Sequence, residues 1–340
     1  MVKYPNLFEP RMKDYYGHDQ KYAKSPWEWW YFDLISDDGY SIVSIWMIPV
    51  TPKERAPYGC ISLEVTEPDK NFTFLQSGFE KKDVSISYNT CDVKAGSSYI
   101  RGKWPKLELH YEVEGATLDV VFESLTQGVM EPPDGCFIGR DLPPATEHYM
   151  GWVIAMPRAK VTGTLTLAGK KIPIKGLGYH DHQWGSPQLV EGLMMEDGHF
   201  FEYWYWGRIH LPDYTLVYWD GQLRAELGGD RFKRLVVLKG EKLVEYLTDG
   251  IYMDAPEIVT DEATGIDYHR TLVMTVNSDT VNGQLIMKPI ADVGKFLFPP
   301  RGGYVRYVCD GEAKLEVLGK KIDATAKMTN ELMFLPILPK

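Results

Sequence analysis

Short runs of β-branched and aromatic residues, broken by Gly, Pro, Asp and Asn, recur along the chain: GYSIVSIWMIPV, GCISLEVTEP, TLDVVFESL, GTLTLAGKKIPIKG, TLVYWDG and RLVVLKG. Apolar and polar positions alternate within these runs with a period of two. Turn residues return every ~8 to 12 positions, which predicts an all-β sandwich or barrel. Helical spacing is scarce. Glu191 to Glu196 and Ile290 to Phe296 have room for a turn or two of helix and no more.

One pattern repeats. EWWYF at Glu28 to Phe32 returns as EYWYW at Glu202 to Trp206, offset by 174 residues, about half the chain. Each copy leads into an Asp-containing turn and a second apolar run, so the chain reads as two copies of one β unit. The boundary is expected near Gly169 to Gly176, giving units 1–172 and 173–340. The Pro-rich and Gly-rich stretch from Gln127 to His148 suits either a linker or an ordered loop over a cavity mouth.

On an extended strand Glu28, Trp30 and Phe32 share one face, and Glu202, Trp204 and Trp206 do the same in the second copy. Large side chains on both faces imply burial on both sides. A glutamate there needs a partner or a raised pKa, as part of a structural network or as a working group.

The chain has 340 residues and a net charge of −10, without a Lys/Arg cluster longer than a pair. That excludes the footprint of a nucleic-acid binder or a polybasic membrane patch. No stretch approaches the ~20 apolar residues of a membrane span and the N-terminus lacks a signal-peptide core, so a cytoplasmic protein is expected. Cys60, Cys91, Cys136 and Cys309 have no C-x-x-C spacing, which fits reduced thiols. Aromatic residues make up 13% of the chain, suited to strands and to pockets for apolar ligands.

The densest chemistry lies in GLGYHDHQWGSP, Gly176 to Pro187. Its G-x-G lacks the third glycine and the following helix of a dinucleotide loop. His180 and His182 point the same way on an extended segment, with Asp181 opposite. The two histidines suit a metal, but no motif supplies the remaining ligands, and no metal is expected. Acid–base chemistry is the second reading, because Tyr179 and Trp184 lower the dielectric around titratable groups. A turn capped by Asp181 is the third.

SPWEWWYFD and GLGYHDHQWG, in that order, resemble the carotenoid 1,2-hydratase (hydroxyneurosporene synthase) and AttH-like superfamily. The resemblance implies two tandem lipocalin-like antiparallel β-barrels and a family of hydratases, prenyl-group hydratases, cyclases and Diels–Alderases. Carried over residue by residue, it assigns chemistry to His182 and Trp184, and to Tyr218 and Asp220 in LVYWDG. Asp220 is then the expected proton donor with Asp181 as substitute, and Trp184, Trp204 and Tyr218 present π faces to a carbocation. Glu28, Trp30, Tyr179, His180, Glu202, Trp204 and Trp206 are the candidate substrate-binding residues. The expected reaction is cofactor-free hydration of an isoprenoid-type double bond. A polyene cyclase and a non-catalytic carrier of an apolar ligand are its rivals.

Overall fold

Strand alternation decides which side chains meet. In a computed structural model that describes residues 27–48, 57–87, 89–130, 136–138, 150–185, 201–223, 225, 229–297 and 302–334, the chain is built almost wholly of antiparallel strands. They form two nearly closed barrels. One compact unit holds the strands from Trp27 to Gly185, the other those from Phe201 to Phe334.

In the first unit the opening strand, Trp27–Ser36, pairs on one side with Ser41–Met47 and on the other with Lys170–Gly185. The sheet continues from Lys170–Gly185 through Met150–Leu167 to Ala116–Ser124, and then through sequence neighbours to Val84–Ile86. The second unit repeats the plan. Its opening strand, Phe201–His210, lies between Tyr214–Leu223 and the last strand, Lys320–Phe334. The two echoed pentamers are therefore the opening strands of the two units.

Peripheral strands obey period two, as in Cys91–Ala95 and Lys106–Val113, whose alternate residues enter the core. The opening strands are buried on both faces over most of their length. Trp30, Phe32 and Leu34 join the first core with Trp46, Tyr111, Phe122 and Met156. Tyr205, Ile209 and Leu211 join the second with Tyr218, Met274, Met287 and Tyr307.

Three expectations change. The GLGYHDHQWG segment is no turn: it is the second half of the strand Lys170–Gly185, paired along its length with Trp27–Ser36. The expected boundary at 172 falls inside this strand. Gly176 has the composition of a breaker but serves close approach, since a Cβ there would come within 2.2 Å of the Ile35 carbonyl oxygen. The true turn lies at Gly169, with φ of +79°. Ile290 to Phe296 is not helical either; it belongs to the strand Val281–Leu297, which is irregular after Pro289 and Val293. Glu191 to Glu196 and most of Gln127 to His148 lie outside the described residues. No helix among the described residues is long and apolar enough to cross a membrane.

Candidate active site

Pairing between the opening strand and Lys170–Gly185 sets Glu28 opposite Trp184, Trp30 opposite His182, and Phe32 opposite His180. All six are almost completely buried. Because Trp30 and Phe32 line the barrel core, this register turns Glu28, His180 and His182 inward as well.

Glu28 and His182 meet there. The Glu28 Oε2 and His182 Nε2 atoms lie 2.8 Å apart, with side-chain exposures of 2% and 0%. Trp30 stacks on the His182 ring at 4.6 Å, with planes 9° apart. Trp184 lies 5.5 Å from the same ring and packs with Met130 and Val153. Gly151, opposite Trp184, makes room for the indole: a Cβ there would meet it at 2.2 Å. A titratable pair is thus enclosed by two indoles, where each charge interaction is stronger than in water. Tyr58, which sequence reasoning did not single out, is pushed above its ordinary pKa by burial and by the Glu28 charge.

His180 lies one pair deeper, stacked on Phe32 at 3.9 Å. Its Nδ1 is 2.9 Å from the Tyr31 carbonyl oxygen, which accepts. Burial pushes its pKa down to about 3, and the His182 charge adds to this.

Asp181 and Tyr179 face the other way, as the alternation requires, and are buried there. Asp181 accepts from Trp152 Nε1 at 2.9 Å, Tyr179 Oη at 2.8 Å and Gln183 Nε2 at 3.4 Å. Trp152 had no motif to mark it. The polar density of the motif is therefore split between two faces of one strand.

Tyr218 and Asp220 belong to the second unit. The Tyr218 hydroxyl donates to the Asn330 side-chain carbonyl and lies 2.8 Å from Met287 Sδ. Asp220 has both carboxylate oxygens bound by Arg231, at 3.0 and 2.7 Å. Near them the Tyr205 hydroxyl meets His269 Nδ1 at 2.7 Å, and burial lowers the His269 pKa. Glu202 is exposed, while Trp204 and Trp206 lie outside the second barrel's core cluster. Trp204 makes edge contacts with Phe201 and Tyr304. Among the described residues no group of three or more His, Cys, Asp or Glu is arranged to hold a metal ion.

No family profile matches the chain. It is 24% identical over 237 residues to the quinolone epoxide rearrangement protein penF of Penicillium thymicola, covering 63% of this chain and 60% of that one. It is 23% identical over 241 residues to hydroxyneurosporene dehydrogenase of Chlorobaculum tepidum, covering 60% and 58%. The chain thus matches less than two thirds of these relatives' length. Among solved structures, a protein described as AttH from Nitrosomonas europaea superposes with a TM-score of 0.69 at 15% identity, over 99% of each chain. Kievitone hydratase from Nectria haematococca superposes at 0.64 and 13% identity, over 97% of this chain and 94% of that one. These likenesses establish the double-barrel fold.

Proposed function

We propose that this chain, which belongs to the AttH-like superfamily of lipocalin-like double-barrel proteins, is an enzyme of the lyase, hydratase or cyclase kind acting on an apolar small molecule. Its finer reaction in this reading is addition of water across a C=C bond of an isoprenoid-type or prenylated substrate. The observation that carries the reading is the Glu28–His182 pair, 2.8 Å apart and sealed inside the first barrel between Trp30 and Trp184. The names of the matched proteins, a hydratase and an epoxide rearrangement protein among them, support it.

In this scheme Glu28 and His182 share one proton. The pair gives that proton to the less substituted alkene carbon, and a tertiary carbocation develops beside the indole faces, where cation–π attraction supplies about 0.5–2 kcal/mol per ring. Water adds its oxygen to the cation and returns a proton to the pair, so the enzyme ends as it began. The reaction is redox-neutral and consumes water alone. Tyr218, bonded to Asn330, and Asp220, bonded to Arg231, have no role in this scheme. Asp181 anchors Trp152 on the outer face.

The test is incubation of the full chain with prenylated phenols in ¹⁸O-labelled water, followed by mass spectrometry. A product heavier by one labelled water, lost in Glu28→Gln and His182→Ala, is expected. An unlabelled isomer would replace hydration by cyclisation, and tight binding without any product would leave a carrier.

A further inference from the structure

The Glu28–His182 pair leaves a second buried histidine of the same barrel without a task. His180 is 0% exposed, and its Nδ1 bonds the Tyr31 carbonyl. A carbonyl only accepts, so the proton of the neutral ring sits on Nδ1 and the Nε2 lone pair stays bare. The lowered pKa keeps the ring in this form near neutrality. No described residue bonds Nε2.

Trp30 is the diagonal neighbour of His180 on the same inner face, being paired with His182 one step toward the rim. It too is 0% exposed, and its Nε1–H has no partner among the described residues. One bare acceptor and one bare donor therefore face the same apolar interior, beside Phe32 and Phe122. Left unbonded, each carries the full desolvation penalty of its group. Native interiors rarely tolerate this without a water or a ligand.

We infer that the inner wall formed by Trp30, Phe32 and His180 is a binding site for one hydroxyl-bearing group, a water molecule or the alcohol of a ligand. Its O–H donates to His180 Nε2 and its oxygen accepts from Trp30 Nε1. Only a group that both donates and accepts satisfies the two atoms. An ether or carboxylate oxygen brings no proton to His180, and an ammonium brings no acceptor to Trp30. The alcohol case rests on the first barrel being the substrate chamber proposed above, whereas the water case stands without it.

Histidine-¹⁵N-labelled full chain, read by long-range proton–nitrogen correlation at neutral pH, tests the site. His180 is expected as the Nδ1–H tautomer, with Nε2 shifted upfield of a bare pyridine-type nitrogen, the mark of an accepted hydrogen bond. His180→Gln assigns the resonance. Should that variant not fold, the absence of titration between neutrality and pH 5 identifies it. Calorimetry with geraniol and geranyl methyl ether separates the sources. Geraniol binding about tenfold tighter or more, with a further Nε2 shift, assigns a ligand alcohol. An upfield Nε2 without that preference assigns water. A Nε2 at the bare value overturns the inference. Activity surviving in His182→Ala beside an upfield Nε2 would sink the hydratase reading alone.

Discussion

The two opening strands carry almost the same five letters and use them on opposite sides. In the first barrel the even positions, Trp30 and Phe32, enter the core. In the second it is the odd positions, Tyr203, Tyr205 and Ile209. A shift of one residue exchanges every side chain between the faces of a strand. Glu28 is thereby buried against His182, and its counterpart in the sequence, Glu202, reaches solvent. The same residue in the same motif is a candidate catalytic group in one copy and a surface charge in the other.

The sharpest way to break this contrast is to remove the two glutamates in turn. Glu28→Ala leaves His182 without its buried partner and should cost about 3–5 kcal/mol in a denaturant titration. Glu28→Gln should lower turnover by about 10²- to 10⁴-fold, the contribution of a positioned acid–base group. Glu202→Ala should stay within about 0.5 kcal/mol of the parent. Equal costs at the two positions would refute the opposite-face assignment.

Acidification comes next. His180 binds its proton only near pH 3 when folded and near pH 6.5 when unfolded, so between these values the unfolded chain holds more protons. Its neutral burial is fully stabilising above pH 6.5. That contribution falls by about 1.4 kcal/mol per pH unit as the pH drops toward 3. His269, lowered in the same direction, adds to the loss from the second barrel. Denaturant midpoints at pH 7, 5 and 4 check this, and a flat profile across that range would contradict it.

Each barrel also has a glycine beneath an aromatic ring. A Cβ on Gly151 would enter the Trp184 indole at 2.2 Å, and one on Gly207 would meet the Tyr218 hydroxyl at 2.6 Å. Each alanine substitution should cost about 1–3 kcal/mol by overpacking. Gly151→Ala should also slow the proposed reaction, because Trp184 flanks His182. A further contrast comes from Asp220→Asn. The Asp220 side chain is 1% exposed and that of its partner Arg231 43%, so the loss should fall between those of a surface pair and a fully buried one, about 1–3 kcal/mol. Turnover should fall by less than about tenfold, short of what a missing acid–base group costs. A turnover defect as deep as that of Glu28→Gln would restore Asp220 to the mechanism.

Alternation and turn spacing made the β class legible, and the repeated pentamer marked the two strands from which the units start. The shared orientation of His180 and His182, opposite to Asp181, followed from period two alone. What stayed hidden depended on distant pairing. Gly176 and Gly178 have the letters of a turn, and only the approach of the neighbouring strand explains them in mid-strand. The opposite use of the two pentamers was invisible because local letters do not fix which face a core will claim. Trp152 and Tyr58 carry no motif, and tertiary pairing alone brings them to Asp181 and near Glu28. The family resemblance carried over to LVYWDG picked out Tyr218 and Asp220, which belong to the second unit.

Closure of each barrel by its first and last strands has a further consequence. Glu28 and His182 are 154 positions apart, so their meeting awaits synthesis of nearly the whole first unit. Such distant pairing makes folding slow, because a large loop must be ordered before the contact repays it. On the ribosome the chemistry would be absent until the strand ending at Gly185 has emerged, and a nascent chain stopped earlier would expose an unsealed, sticky sheet edge to its neighbours.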